Sequence, residues 1–304
     1  MQVEVRNNFE IKDLTTFKIG GKVERLYLPK TQQELVYLLN KLDDYILLGN
    51  CSNVLFSSNG YAGNVILTTG LKSYEIRGNT VIAECGVKGP LLSQKTAEAG
   101  LSGFEFMIGF PGTIGGEVYM NASAHGQAIS DNISRCCLYD KSNNEIIYKE
   151  KDEMAFGYRT SLLQTGEYYL LGAEFELKKC SREDIEALMN RNLTSRKEIQ
   201  PNLINPNAGS VFKNPPNDSA GRLLDKSGCK LLCNNGAKVW DRHANFIVNT
   251  GNATSEDILD LMLKMYTSVK EMFTIELVPE IIFIGEKNRK EEEICKILYQ
   301  KKQK

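Results

Sequence analysis

Apolar positions in this chain change their spacing repeatedly, and each spacing predicts a different element. Residues 1–12 read as a strand or arm, and Leu14-Thr15-Thr16-Phe17-Lys18-Ile19-Gly20-Gly21 reads as a polar turn closed by two glycines. Alternation resumes over 23–29. Thr31-Gln32-Gln33-Glu34 is a capping box, and the helix it opens carries Leu35, Leu38, Leu39 and Leu42 on one face. A short apolar strand over 45–48 runs into Gly49-Asn50-Cys51-Ser52-Asn53, after which Val54-Leu55-Phe56 is apolar again. The opening of the chain therefore reads β-α-β with a polar loop at the carboxyl end of a strand, where α/β folds place ligands. Strands are predicted at 65–69, 73–77 and 80–85, the last two a hairpin across Gly78-Asn79. Residues 90–99 form a helix stopped by Gly100.

The second half continues with strands at 136–139, 145–149 and 168–178, with turns at 141–144 and 164–166. Ser181 caps a charged helix running to about Ile199, and Gln200-Pro201 breaks it, which marks a domain boundary. A helix near 220–227, an apolar strand over 243–249 and a long amphipathic helix over 254–273 follow. That helix places Ile258, Leu261, Met262, Met265, Tyr266, Val269 and Met272 on one side. Residues 275–284 read as a strand, and the Lys- and Glu-rich end as a peripheral helix or frayed tail.

One stretch, Gly109 to Gly126 (GFPGTIGGEVYMNASAHG), resists periodic reading. Glycine weakens regular elements, so Gly109, Gly112, Gly115 and Gly116 together point to unusual backbone geometry or close approach. Pro111 fixes a φ angle and suits a turn. A backbone with so few side chains can offer N–H groups to a ligand, as anion-binding nests do. The spacing is neither the dinucleotide fingerprint nor the phosphate loop that ends in Gly-Lys-Ser/Thr. A plain tight turn is equally compatible with it.

Bulk composition narrows the function classes. The chain has 304 residues, 42% hydrophobic and 25% charged, which is ordinary globular material sufficient for about two domains. A formal net charge of −1 recruits no polyanion, so nucleic acid is a poor partner. No apolar run reaches membrane-spanning length and MQVEVRNNFEIKD has no signal core, so a cytoplasmic location is expected. Cysteines at 51, 85, 136, 137, 180, 229, 233 and 295 form no C-x-x-C pair, and the only histidines are His125 and His243. No metal site is expected; reduced, mostly buried thiols are.

Three polar residues have awkward neighbours. Arg159, in Phe156-Gly157-Tyr158-Arg159-Thr160-Ser161, can hold an anion through its bidentate fork or lie on the surface beside a turn. Glu280 interrupts the apolar run Leu277-Val278-Pro279-Glu280-Ile281-Ile282, either as a functional carboxyl or as the polar side of an alternating strand. Ser210 lies outside any G-x-S-x-G elbow, and the histidines give no triad; its hydroxyl can deliver a proton, with Lys213 close in sequence, or serve only a turn.

Seven ordered motifs, taken together, resemble one family. They are Thr15-Thr16-Phe17-Lys18-Ile19-Gly20-Gly21, Leu48-Gly49-Asn50-Cys51-Ser52-Asn53, the glycine stretch, Tyr158-Arg159, Ala208-Gly209-Ser210-Val211-Phe212-Lys213-Asn214-Pro215 with Ala220-Gly221-Arg222-Leu223, His243-Ala244-Asn245-Phe246, and Pro279-Glu280. The chain is similar over 8–285 to the UDP-N-acetylenolpyruvoylglucosamine reductases, flavoenzymes that make UDP-N-acetylmuramate for bacterial peptidoglycan. The resemblance implies an α+β fold: a two-subdomain FAD-binding unit of the PCMH/vanillyl-alcohol-oxidase type, then a smaller α/β substrate domain. The corresponding spans are 1–70, with 286–304 a candidate addition, then 71–200 and 201–285.

It implies non-covalent FAD held by Gly49, Asn50, Cys51, Ser52, Asn53, Gly109, Pro111, Gly112, Thr113, Gly115, Gly116 and Asn121, with NADPH as hydride donor. It implies Ser210 as proton donor, Arg159 and Glu280 steadying the carboxylate and the developing enolate, and Tyr158, Lys213 and Asn214 touching substrate. Lys18 stands where the family more often has arginine, Cys51 where it has glycine, and His125 where it has tyrosine. The alternatives are another FAD oxidoreductase of the same superfamily, or a non-catalytic flavin- or sugar-nucleotide-binding protein. Covalent-flavin relatives tether the cofactor through an early histidine, and no histidine precedes His125.

Overall fold

The computed structural model describes residues 2–202 and 204–299; the last part of the tail 286–304, residues 300–304, lies outside the described residues. Contacts divide the chain into two compact units, each assembled from three separate stretches. The first comprises Met1–Arg6, Leu26–Asn50 and Asn64–Arg196, and the second Asn7–Arg25, Cys51–Gly63 and Lys197–Lys304.

The first unit is built on a five-stranded antiparallel sheet in the order Glu145–Glu150, Ile133–Asp140, Tyr168–Glu176, Thr80–Glu84, Tyr74–Arg77. Its hairpins follow the turn chemistry: Arg77 pairs with Thr80 across a loop in which Gly78 adopts φ 63°. Phe104, Phe106, Leu138, Tyr139, Leu171 and Phe175 lie in its core, with Phe104 edge-on to Phe175 at 5.0 Å. Each such side chain contributes about 1.5–3 kcal/mol by leaving water. Helix Gln32–Lys41 buries Leu35, Leu38 and Leu39 as its periodicity requires. Its cap differs from the expected box: Thr31 Oγ1 accepts from Glu34 N at 3.2 Å, but the Glu34 carboxylate accepts from Lys30 N, one residue earlier, at 2.7 Å. Ile46–Leu48 then pairs in parallel with residues 65–67, which brings Gly49 to the carboxyl end of a strand.

One glycine in this unit is fixed by close approach. Gly86 follows strand Thr80–Glu84, and a Cβ there would overlap the carbonyl oxygens of Thr68 and Leu71. Backbone cannot swing aside as a side chain can, so Gly86→Ala is expected to destabilise by about 1–3 kcal/mol. A fall in the urea midpoint without change in slope measures it; an unchanged midpoint refutes this packing.

The second unit has a three-stranded antiparallel sheet of Cys233–Asn234, Ala237–Val239 and Ile247–Asn249, packed against helix Ser255–Phe273. Thr254 closes a capping box with Asp257, accepting from its N–H at 3.2 Å while the Asp257 carboxylate accepts from Thr254 N at 2.9 Å. Ile258, Leu261, Met262, Met265, Tyr266 and Val269 are buried, but Met272 in the last turn is 58% exposed, contrary to the expected stripe.

Two further expectations need correction. The apolar run 243–249 is a strand only over Ile247–Asn249, because residues 243–246 fold into a turn closed by Phe246 N donating to His243 O at 3.1 Å. The run 275–284 is a strand only over Ile282–Ile284, which pairs in parallel with Val54–Phe56. The Lys/Glu-rich end is a docked helix, Arg289–Tyr299, with Ile294, Cys295 and Leu298 buried. Glu291 anchors it: fully buried, it accepts from Ser255 Oγ at 2.5 Å, Asn59 Nδ2 at 2.9 Å and Asn288 N at 2.9 Å. A frayed tail is thereby excluded for 289–299.

Candidate active site

In the first unit the glycine stretch is not one open loop. A 3-10 turn, Glu105–Gly109, leads through Phe110-Pro111-Gly112-Thr113 into a short helix, Ile114–Tyr119. The helix escaped periodic reading because it is under two turns long and holds two glycines. Its start is stitched to the chain after Glu84, with Ile114 N donating to Val87 O at 2.9 Å and Gly115 N to Cys85 O at 2.7 Å. An added Cβ at Gly115 would lie 3.1 Å from that same carbonyl oxygen, so this glycine serves close packing.

Gly49 and Gly116 leave a cradle free of side chains around Thr113. A Cβ on Gly49 would overlap Thr113 Oγ1, whereas one on Gly116 would meet only that oxygen, at 4.0 Å. The Thr113 hydroxyl is buried and has no hydrogen-bond partner among the described residues. An orphaned buried hydroxyl beside two bare Cα positions fits a ligand that brings its own polar atoms. Asn50 ties the two loops together, its Nδ2 donating to Pro111 O at 2.6 Å.

Sequence reasoning passed over two charged residues here. Glu117 is fully buried, neither carboxyl oxygen has a partner among the described residues, and burial pushes its pKa up to about 8. Its side chain lies against Gly89 and Gly112, filling space a Cβ would need. Arg196 lies with its guanidinium 5.2 Å from the Phe110 ring centre and beside Gly109. Burial lowers that arginine to about 10, and its charge, after burial itself, helps hold His125 below the usual histidine range.

Arg159 is at the tip of a tight turn. Gly157 and Thr160 exchange backbone hydrogen bonds at 3.2 and 3.3 Å, and Arg159 takes φ 56°, a conformation a branched or long side chain adopts at a cost of about 1–2 kcal/mol. The surroundings enforce it. Asn121 Nδ2 donates to Gly157 O at 3.0 Å, and Gln164 Nε2 bridges Arg159 O at 3.0 Å and Tyr119 O at 2.9 Å. One guanidinium N–H donates to Ser123 Oγ at 2.8 Å, and the group lies 5.2 Å from the Tyr158 ring, which is 54% exposed. Asn121, Tyr158 and Arg159 are thus tied to the end of the glycine stretch; Gln164 and Ser123 carry no sequence signal beyond hydrogen-bonding capacity.

In the second unit Ser210, Lys213 and Glu280 come together through backbone pairing. Phe212 faces Pro279 antiparallel, Glu280 N donates to Val211 O at 2.8 Å, and Lys213 N donates to Val278 O at 2.8 Å. Asn214 Oδ1 caps helix Ala220–Lys226 by accepting from Ala220 N at 3.0 Å. Asn53 brackets Glu280, its Nδ2 donating to Glu280 O at 3.1 Å and its own carbonyl accepting from Ile282 N at 3.0 Å. Cys51 takes φ 51° with its carbonyl accepting from Thr16 N at 3.4 Å, and Ser52 is half-buried in the same turn. Burial raises the Cys51 thiol to about 12, so it is inert at neutral pH.

The three departures from the family pattern share one geometry. Lys18, Cys51 and His125 have φ of 55°, 51° and 53°. The glycine expected at 51 is what such a φ favours, and the cysteine there carries backbone strain that its burial offsets.

Comparisons with known proteins agree over most of the chain. The family model for the FAD binding domain matches residues 23–141, and that for the UDP-N-acetylenolpyruvoylglucosamine reductase C-terminal domain matches 200–284. The UDP-N-acetylenolpyruvoylglucosamine reductase of Caldicellulosiruptor bescii is 44% identical over 93% of this chain and 92% of its own. That of Caldanaerobacter subterraneus subsp. tengcongensis is 39% identical over 92% and 93%. The crystal structure of the Thermus caldophilus reductase matches with TM-score 0.80 at 34% identity, covering 93% of this chain and 99% of that one. An α+β chain with an FAD-binding part and this C-terminal domain, alike to such enzymes over 93% of its length, belongs to the UDP-N-acetylenolpyruvoylglucosamine reductase family.

Proposed function

We propose that this chain is an FAD-dependent, NADPH-driven reductase that converts UDP-N-acetylenolpyruvoylglucosamine to UDP-N-acetylmuramate, a peptidoglycan precursor, in the bacterial cytoplasm. Family membership supports the reaction. Among the described residues no helix is long and apolar enough to cross a membrane. The residues around Thr113 fit a cofactor, since they leave a buried hydroxyl unpartnered beside Gly49 and Gly116. Bound there, FAD supplies hydride transfer from NADPH to the enolpyruvyl double bond.

The chain's own residues do the rest. Hydride addition at one alkene carbon leaves negative charge on the other, delocalised into the attached carboxylate, and that carbon must receive a proton. Ser210 gives it from Oγ, while Arg159 and Glu280 hold the carboxylate and steady the enolate. The observation that supports this assignment is the backbone pairing of Val211–Lys213 with Val278–Glu280, which brings the segments carrying Ser210 and Glu280 side by side in one unit. In this scheme the strained turn at 157–160 presents Arg159 and Tyr158 to the substrate, and Lys213 and Asn214 take its anionic groups.

An absorption spectrum of the purified protein tests the reading. Flavin bands that bleach on anaerobic NADPH and return only with the enolpyruvyl sugar nucleotide are the expected result. Bleaching with no response to the sugar nucleotide keeps the fold and moves the activity to another FAD oxidoreductase. Failure to bind FAD even on reconstitution overturns the reading.

A further inference from the structure

The segment that carries Ser210 is held from two sides, by the backbone of 278–280 and by Asn245. Because Phe212 faces Pro279 as a non-hydrogen-bonded pair, the bonds to 278–280 leave Phe212 N–H and C=O directed to the opposite edge. Among the described residues no strand pairs with that edge; Asn245 does. Asn245 Oδ1 accepts from Phe212 N at 2.9 Å and Asn245 Nδ2 donates to Phe212 O at 2.8 Å, while Asn245 O accepts from Val211 N at 2.9 Å. The carboxamide reproduces what a neighbouring peptide would offer, donor and acceptor at once. Asn245 is itself fixed: 3% exposed, with its backbone N–H donating to His243 Nδ1 at 3.2 Å in the turn 243–246.

We infer that Asn245 is a positioning residue for the proton-transfer step, clamping the 210–213 segment against 278–280 so that Ser210 and Glu280 keep a fixed relation. This rests on the proposed role of Ser210 as proton donor. The chemistry is demanding in two directions. Aspartate keeps an acceptor for Phe212 N but sets a carboxylate against Phe212 O. Alanine leaves both buried backbone groups unmatched. The hydrogen bonds of Asn245 to the segment all go to its backbone, so its effect passes through the placement of its neighbours. A displacement of a few tenths of an ångström at a proton donor is enough to slow transfer.

A merely structural asparagine gives a different pattern from a positioning one, and a double-mutant cycle on the FAD-loaded enzyme separates them. In Asn245→Ala the bleaching of the flavin by NADPH stays within about twofold of the parent. Its return on adding the enolpyruvyl sugar nucleotide slows about 10- to 100-fold, with an enlarged solvent deuterium isotope effect. In the Ser210→Ala background the same Asn245→Ala change costs less than about threefold, because there is no longer a proton donor to misplace. Equal slowing in both backgrounds, or equal slowing of both half-reactions, overturns the inference and leaves Asn245 a stability residue. Should Asn245→Ala fail to fold, Asn245→Asp enters the same cycle. Ser210→Ala alone keeping full speed in the second half-reaction removes the proton-donor assignment, and the positioning role with it.

Discussion

Ser210→Ala is expected to slow the reoxidation of the flavin by the enolpyruvyl sugar nucleotide by about 10²- to 10⁴-fold, the range found when a general acid is removed. The NADPH step needs no proton from this serine and should keep its rate. Ser210 is only half-buried at the edge of the 211–213 pairing, and its side chain forms no part of the backbone bonds that hold the segment. Stability should therefore change by less than about 0.5 kcal/mol, as for a surface substitution. Stopped-flow measurement of the two half-reactions, with a denaturation curve alongside, distinguishes loss of a proton from loss of fold. A variant as fast as the parent in the second step removes Ser210 from the chemistry. Matched slowing of both steps points instead to a general disturbance of the holoenzyme.

The second large effect concerns Glu117. Its carboxyl has a folded pKa of about 8 against an ordinary value of 4.5, and burial is the sole cause. Below the ordinary value the group is neutral in both states and costs the folded protein nothing ionic. Between about 4.5 and 8 the folded protein keeps a proton that the unfolded chain releases, so stability falls as pH rises through that window. The whole span corresponds to an upper size of roughly 5 kcal/mol. Glu117→Gln is neutral at every pH, so apoprotein carrying it should match the parent near the lower end and exceed it by several kcal/mol above the upper end. Urea denaturation of both forms at acid and mildly alkaline pH reads this directly. Parallel pH profiles for the two would mean that Glu117 has a partner or water in solution that offsets its burial.

Much of the secondary structure was legible because it is local. The stripe from Ile258 to Val269, the Gly100 stop and the Gly78-Asn79 hairpin each depend on residues within a few positions of one another. Legibility failed where an apolar run is buried without being a strand. Residues 243–246 and 275–281 have strand-like composition, but their backbone groups are met by His243, Asn53, Val211 and Lys213 instead of by a regular ladder. An asparagine that substitutes for a peptide 33 positions away has no sequence signature. Ordered motifs made Arg159, Ser210 and Glu280 visible as candidates, whereas Glu117 and Arg196 were invisible because only burial makes them unusual. Met272 shows the limit of periodicity: the stripe was read correctly, but packing stops one turn before the helix does.

The docked helix Arg289–Tyr299 also orders events in time. The Glu291 carboxylate holds Asn59, and Glu286 O accepts from Ser57 Oγ, so a loop emerging early in synthesis is completed by residues made 229–232 positions later. The second unit is threaded through three stretches, and its first two leave the ribosome well before the partners that cover Phe17, Ile19 and Leu55. Those apolar residues must wait, as contacts of large sequence separation form late. During translation the first unit can begin to bury its sheet, while the early pieces of the second remain exposed until residues from 197 onward have been made.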